Sequence, residues 1–148
     1  FQNALEKEGS DGIVALMEGQ VVGYVLGFKV LNEFHLADFA VHPNLQNRGF
    51  GWGFLNRLLG RLDNQGIQVV SLEVRVSNYH AIGLYRKAGF QNVAIHKNYY
   101  SRPREDAFLM LKSLRGNLSD WVEELFLGSS KGKLGFNLYK GAACLSQE

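Results

Sequence analysis

Residues 34–62 read FHLADFAVHPNLQNRGFGWGFLNRLLGRL, and the change of character along this stretch decides the fold. Its first part, FHLADFAV (34–41), reads as a strand that Pro43 stops. Its last part, FLNRLLGRL (54–62), sets apolar side chains at 54, 55, 58, 59 and 62, the stripe of an amphipathic helix. Between them lies the glycine-rich QNRGFGWG (46–53). A strand-to-helix junction leaves backbone N–H groups unsatisfied at the positive end of the helix dipole. Glycines at 49 and 51 remove Cβ atoms, so a diphosphate can approach the main chain there. A Walker loop needs Lys-Ser/Thr after its last glycine, where this chain has Trp52 and Gly53. A dinucleotide fingerprint needs a third glycine three residues after the second, and Leu55 or Asn56 stands near there. A glycine-rich turn without a ligand remains open on the loop alone.

Working outward, GIVALMEGQVVGYVLGFKV (12–30) reads as two strands turning at Glu18-Gly19, and VVSLEVRV (69–76) as a fourth strand. A second helix is expected at about 79–88, with Ala81, Leu84, Tyr85 and Ala88 on one side and Gly89 as a left-handed cap. FQNVAIHKNYY (90–100) and DAFLMLKSL (106–114) make a closing strand pair. The order β-β-β-α-β-α-β-β is an α/β pattern around a mixed sheet. Residues 1–7 read as the end of a helix stopped near Gly9. Beyond Leu114, one short helix is expected with Ser119 as N-cap and Trp121, Val122, Leu125 and Phe126 as its apolar face. KGKLGFNLYKGAACLSQE (131–148) reads as loop or tail.

The 148 residues suffice for one domain with one core, and 46% hydrophobic with 20% charged residues is ordinary for a globular protein. A net charge of +2 does not argue for nucleic acid. No apolar run approaches the ~18 residues of a membrane span, and the first residues lack the pattern of a signal peptide. A single cysteine, Cys144, forbids an internal disulfide and makes the cytoplasm the default compartment.

Gln46-x-x-Gly49-x-Gly51, preceded by FAVHPNLQ, resembles the pyrophosphate loop of the GNAT acetyltransferases. LEVRVSNYHAIGLYRKAGF (72–90) resembles the family's next strand and helix, and with HKNYYSRPREDAFLML (96–111) the resemblance extends to the RimI-type branch, which acetylates the N-terminal alanine of a ribosomal protein. It covers roughly 1–114 as a GNAT domain and leaves 115–148 as an extension of unknown role. It implies a mixed, mostly antiparallel sheet with flanking helices, whose first strand and first helices precede the point where this chain starts. It also implies acetyl-CoA as co-substrate and a peptide or protein N-terminus as acceptor, with no nucleic acid, membrane or metal. A small-molecule amine acceptor, and a non-catalytic CoA- or partner-binding fragment, are the alternatives.

Glu73 sits inside an otherwise apolar strand, where a carboxylate is expensive unless something pairs with it or uses it. Pairing with Arg75, two positions along the same face, is one reading. The resemblance implies the other, a general base acting through water. An α-amine has a pKa of about 8 against about 10.4 for lysine, so it needs only modest help. Tyr85 is core or, by resemblance, the acid that protonates the departing thiolate. Asn78 is a helix N-cap or, by resemblance, a partner of the pantetheine arm. The main chain of Phe39, Ala40 and Val41 would pair with that arm like an added strand. Gln46, Asn47, Arg48, Gly49, Phe50, Gly51 and Trp52 would hold the phosphates, although Trp52 departs from the small or basic residue often found there. Tyr99 and Tyr100 are an exposed aromatic hairpin or, by resemblance, a grip on the peptide backbone. Glu105 and Asp106 begin the last strand or bear on substrate. The histidines at 35, 42, 80 and 96 lack metal-ligand spacing and read as incidental. Cys144 lies outside the matching region and gives a cysteine nucleophile little support.

Overall fold

The computed structural model describes residues 10–46, 48–127 and 142–144, so the helix end expected at 1–7 lies outside the described residues. The opening strands are β1 (Ser10–Met17) and β2 (Gln20–Val30). The chain reverses at Glu18 and Gly19, both at positive φ (53° and 78°), as a tight two-residue hairpin requires. β3 (Glu33–Val41) ends before a 3-10 turn at Pro43–Leu45. Helix α1 (Phe50–Asn64) then buries Phe54, Leu55, Leu58, Leu59 and Leu62, the stripe read from the sequence. It starts four residues earlier than that stripe: Phe50–Gly53 form its first turn, not free loop. Gly49, at φ 81°, is the N-cap that allows this sharp entry.

β4 (Val69–Arg75) leads to α2 (Tyr79–Lys87), with Asn78 as N-cap and Gly89 at φ 99° just past the end. Ile82 and Tyr85 are its buried residues, while Ala81 and Leu84 pack partly buried against the core. β5 (Gln91–Ser101) and β6 (Arg104–Ser113) close the sheet. Helix α3 (Leu118–Leu127) begins one residue before Ser119, so Asn117 precedes it and Ser119 is not its cap. The last element, β7 (Ala142–Cys144), corrects the reading of 131–148 as loop or tail. Three residues are too few for a periodic signal, and what makes them a strand is the edge of β5 that they join, from Ala94↔Cys144 to His96↔Ala142.

Among the described residues the strands lie in the order β1-β2-β3-β4-β6-β5-β7, and only β3 and β4 pair in parallel. Alternation along β4 sends Val70, Leu72 and Val74 into the core with α1 and α2, and Val69 to the opposite face, where Leu109 and Leu111 meet Leu118 and Trp121 of the α3 segment. Ser71 and Glu73 share that second face.

Two irregularities shape the middle of the sheet. Between β2 and β3 the register passes from Leu26↔Asp38 to Gly27↔Leu36, so Ala37 is an extra residue, a β-bulge. Directly before it, β3 and β4 pair over only Glu33↔Val69, Phe34↔Val70 and His35↔Ser71. Past the bulge they part, and the edge of β3 at 39–41 that faces β4 is unpaired while its other edge stays bonded to β2.

Gly27 lies at the bulge, where an added Cβ would come within 2.3 Å of the Phe34 ring and 2.4 Å of the His35 carbonyl. Gly27→Ala should therefore destabilise the fold by roughly 1–3 kcal/mol, since a backbone carbonyl cannot yield as a flexible side chain does. Gly53→Ala in α1, with nothing within 4 Å, should be neutral or stabilising by up to about 1 kcal/mol. Denaturant unfolding of both variants checks the contrast, and equal midpoints would refute it.

Candidate active site

The parting of β3 and β4 leaves an open groove of about 830 Å³ lined by Phe39, Ala40, Val41, Gly51, Trp52 and the groove-facing residues of α2. The first helical bond of α1 runs from the Gly53 N–H to the Gly49 carbonyl at 3.0 Å. The amides of Phe50, Gly51 and Trp52 precede it and end the helix at its positive pole. Above Gly49 nothing stands within 4 Å, and a Cβ on Gly51 would meet the Phe39 ring at 3.2 Å. Glycine at both positions keeps the cradle open. Gln46 donates from Nε2 to the Val41 carbonyl at 3.0 Å, tying the loop to the end of β3. Arg48 is exposed. Asn47 lies outside the described residues. A diphosphate on a long flexible arm fits this cradle and strand edge.

Glu73 stands two residues past the last β3–β4 pair, at the root of the fork. Only 3% of its side chain is exposed. Its partner is not Arg75: Oε2 lies 3.1 Å from Nε2 of His35. The Nδ1 of His35 in turn lies 3.0 Å from the Ser71 hydroxyl. The reason is geometric. Arg75 lies beyond the fork beside the β5–β6 turn, where its guanidinium pairs with Glu105 at 3.2 Å and donates to the Pro103 and Arg102 carbonyls at 3.0 and 3.3 Å. His35 is thus no incidental histidine. Its one sequence signal was a polar residue in an apolar strand, and its partner was invisible because the pair spans two strands. The other Glu73 oxygen, Oε1, is buried with no hydrogen-bond partner among the described residues.

Tyr99 and Tyr100 lie beside this carboxylate, and a third tyrosine packs in the helix-side core. Tyr85 is buried on the helix side, edge-on to Phe39 and Phe90 with ring centroids 6.3 and 5.8 Å away. Burial, then Tyr100 and Asp38, push its hydroxyl up to about 12. Tyr99 and Tyr100 are half-buried rather than exposed and stack edge-on at 4.9 Å. Burial first, then the Glu73 charge, push Tyr99 up to about 12 and raise Tyr100, which Arg75 partly offsets. The Tyr100 hydroxyl donates to the Glu73 carbonyl at 3.5 Å, with Arg75 4.1 Å from its ring centre. An irregularity in β5 between His96 and Tyr100 turns the two rings inward. On the other lip, Tyr24 donates to Asp38 at 2.9 Å.

Several expected site residues are committed to structure. Asn78 accepts from the Ala81 N–H at 3.2 Å through Oδ1, as an N-cap, while also lining the groove. Glu105 accepts the Ser77 N–H at 2.8 Å, and this bond followed by Arg75 holds its carboxyl below the usual range. Asp106 accepts the Asn98 N–H at 2.8 Å. Both acids brace the hairpin that carries the tyrosines. No helix among the described residues is long and apolar enough to cross a membrane.

Comparison with known proteins matches residues 1–90 to the acetyltransferase (GNAT) family. The chain is 43% identical over 94 residues to a [ribosomal protein bS18]-alanine N-acetyltransferase of Haemophilus influenzae, covering 62% of this chain and 64% of that one. It is 38% identical over 127 residues to an N-alpha-acetyltransferase of Sulfolobus acidocaldarius, covering 77% of this chain and 75% of that protein. The crystal structure of the ribosomal-protein-S18-alanine N-acetyltransferase from Escherichia coli superposes with a TM-score of 0.69 at 33% identity, over 76% of each chain. The chain spans 64% of the length of the Haemophilus influenzae and Escherichia coli [ribosomal protein bS18]-alanine N-acetyltransferases it matches.

Removing one partner of a buried pair strands the other. His35→Ala should lower the unfolding free energy by roughly 3 kcal/mol. The double change His35→Ala/Glu73→Ala should lose less than the sum of the two single losses. Denaturant unfolding of the cycle reads this coupling, and strictly additive losses would mean the pair contributes nothing.

Proposed function

The chain belongs to the acetyltransferase (GNAT) family, and on that premise we propose that it is an acetyl-CoA-dependent N-acetyltransferase acting on the α-amine of a protein N-terminus. The observation that carries this reading is the fork: a strand edge freed beside a phosphate cradle, with a buried carboxylate at its root. Residues 1–114 would form the acetyltransferase unit and 115–148 an extension. The compartment that suits a chain with one cysteine is the cytoplasm.

Bound acetyl-CoA supplies the acetyl group as an activated thioester. The amides of Phe50, Gly51 and Trp52, with Gln46, Asn47, Arg48 and Gly49 around them, would hold its diphosphate. The free edge at Phe39, Ala40 and Val41 would pair with the pantetheine arm as an added strand does. Asn78, with Oδ1 committed to its cap, has its Nδ2 donor left for the same arm.

Glu73 would accept the proton of the incoming amine through a water at its unpartnered Oε1. His35 holds the other carboxylate oxygen in place, a positioning role. The amine nitrogen then forms its bond to the acetyl carbon as the carbon–sulfur bond breaks. Tyr85 would give its proton to the departing sulfur. Its raised pKa keeps that proton available at every pH below about 12. Tyr99 and Tyr100 flank Glu73 and would grip the peptide backbone behind the amine. An α-amine, half-deprotonated near pH 8, suits a single carboxylate base better than a lysine side chain does.

Glu73→Gln should depress kcat by roughly 10²- to 10⁴-fold while acetyl-CoA binds as before. Tyr85→Phe should also lower kcat, and the wild-type pH–rate profile should carry no descending limb from this hydroxyl below about pH 11, because a raised pKa postpones proton loss. Thiol release with N-terminal Ala peptides, the same peptides N-acetylated, and simple amines reads both rate and acceptor. Turnover by Glu73→Gln at the wild-type rate would rule out the base, and equal rates with blocked peptides would rule out the α-amine.

A further inference from the structure

Two neighbouring residues of a regular strand point to opposite faces of the sheet. Tyr99 and Tyr100 do not: their rings lie 4.9 Å apart, and the Glu73 charge acts on both hydroxyls. A gap in the pairing of β5 with β6 allows this. His96 pairs with Ala107 and Tyr100 with Glu105, so Lys97, Asn98 and Tyr99 stand opposite a single residue, Asp106. The main chain of Asp106 is turned away from them. Its carbonyl accepts the Val76 N–H at 3.2 Å, on the β4 side, and in an antiparallel strand a residue's N–H and carbonyl point the same way. The side chain makes the bond to β5 instead: Oδ1 accepts the Asn98 N–H at 2.8 Å. Asn98 stands at φ 54°, in the left-handed region that costs a residue with a Cβ free energy. Glu105 does not share the task, because its carboxylate is engaged by the Ser77 N–H and Arg75. Asp106 thus holds β5 in a shape that ladder pairing does not impose.

We infer that Asp106 is a positioning residue that gives the acceptor site its preference for a peptide: its carboxylate fixes the β5 bulge at Asn98, and the bulge sets Tyr99 beside Tyr100, next to Glu73. The inference rests on the acetyltransferase reading above and adds a source of specificity to it. A small amine presents only its nitrogen to Glu73. A peptide also presents main-chain N–H and carbonyl groups, and two phenol hydroxyls held side by side can bond both kinds. Because the bulge is held before the acceptor arrives, binding does not have to order it. Asp106 acts through the main chain of Asn98 and not on the amine or the acetyl group.

Steady-state thiol release from acetyl-CoA with an N-terminal Ala peptide and with alaninamide tests this, since the two share an α-amine and differ in the backbone behind it. The wild type should favour the peptide in kcat/KM. Asp106→Ala should cut that preference by about tenfold, the scale of one hydrogen bond to a charged group, through the KM of the peptide and not through kcat. Calorimetric titration should find its affinity for acetyl-CoA unchanged. Asp106→Asn keeps an acceptor oxygen and should restore most of the preference. In a Tyr99→Ala background, Asp106→Ala should add no further loss. The Asn98 amide of the wild type should exchange slowly with deuterated solvent, a reading that needs no variant to fold. The inference is overturned if that amide exchanges freely, if Asp106→Ala keeps the preference or loses peptide and alaninamide equally, if Asp106→Asn is as weak as Asp106→Ala, or if the losses of Asp106→Ala and Tyr99→Ala add in full. A wild type that serves both acceptors equally overturns it and leaves the acetyltransferase reading intact. Thiol release with neither acceptor by folded wild-type chain removes both.

Discussion

The rest of this structure depends on the parting of two parallel strands. β3 and β4 share three residue pairs, then a bulge at Ala37 turns β3 aside. A parted sheet carries an energetic penalty, because backbone groups at 39–41 lose the partners a continuous ladder would give them. The fold limits this penalty by keeping the other edge of β3 bonded to β2 and by seating α1 beneath the fork. What remains is an unpaired strand edge beside a helix N-terminus, a shape suited to an extended ligand with phosphates at one end. Gly27 and Phe34 make the bulge possible, for the Phe34 ring fills the space that a side chain on residue 27 would need.

At the root of the fork the physics is electrostatic. Glu73 is buried where an isolated carboxylate would be prohibitive, and His35, steadied by Ser71, meets one of its oxygens. Arg75 is drawn the other way, into a cluster with Glu105 and the carbonyls at 102 and 103 that clamps the β5–β6 turn. This separation leaves the carboxylate with an imidazole neighbour rather than a guanidinium. Tyr99 and Tyr100 beside it keep their hydroxyl protons because burial and the Glu73 charge raise their pKa, and Tyr85 keeps its own chiefly through burial. In our proposal, the base comes from β4 and the acid from α2, on the two sides of the strand fork.

The second face of the sheet shows how a segment without a recognisable motif still belongs to the folded body. Leu118, Trp121 and Val122 pack on Val69, Leu109 and Leu111, covering apolar surface that α1 and α2 do not reach. β7 joins the edge of β5, which blunts an edge otherwise open to pairing with other chains.

Local signals carried much of this. The stripe 54, 55, 58, 59 and 62, the turn at Glu18-Gly19, the cap at Gly89 and the glycine cradle at 49–51 were all readable, because each follows from residues close together in the chain. The presence of a carboxylate at 73 and a tyrosine at 85 was equally readable. Their company was not. That Glu73 meets His35 rather than Arg75, that Tyr99 and Tyr100 turn inward, and that Ala142–Cys144 is a strand depend on strand registers and bulges that bring distant residues together. Sequence by itself determined the longer elements, since helix and strand periodicity are written in neighbouring side chains. Only the tertiary structure decided the partners, since a buried charge is satisfied by whatever the fold sets within about 3 Å of it.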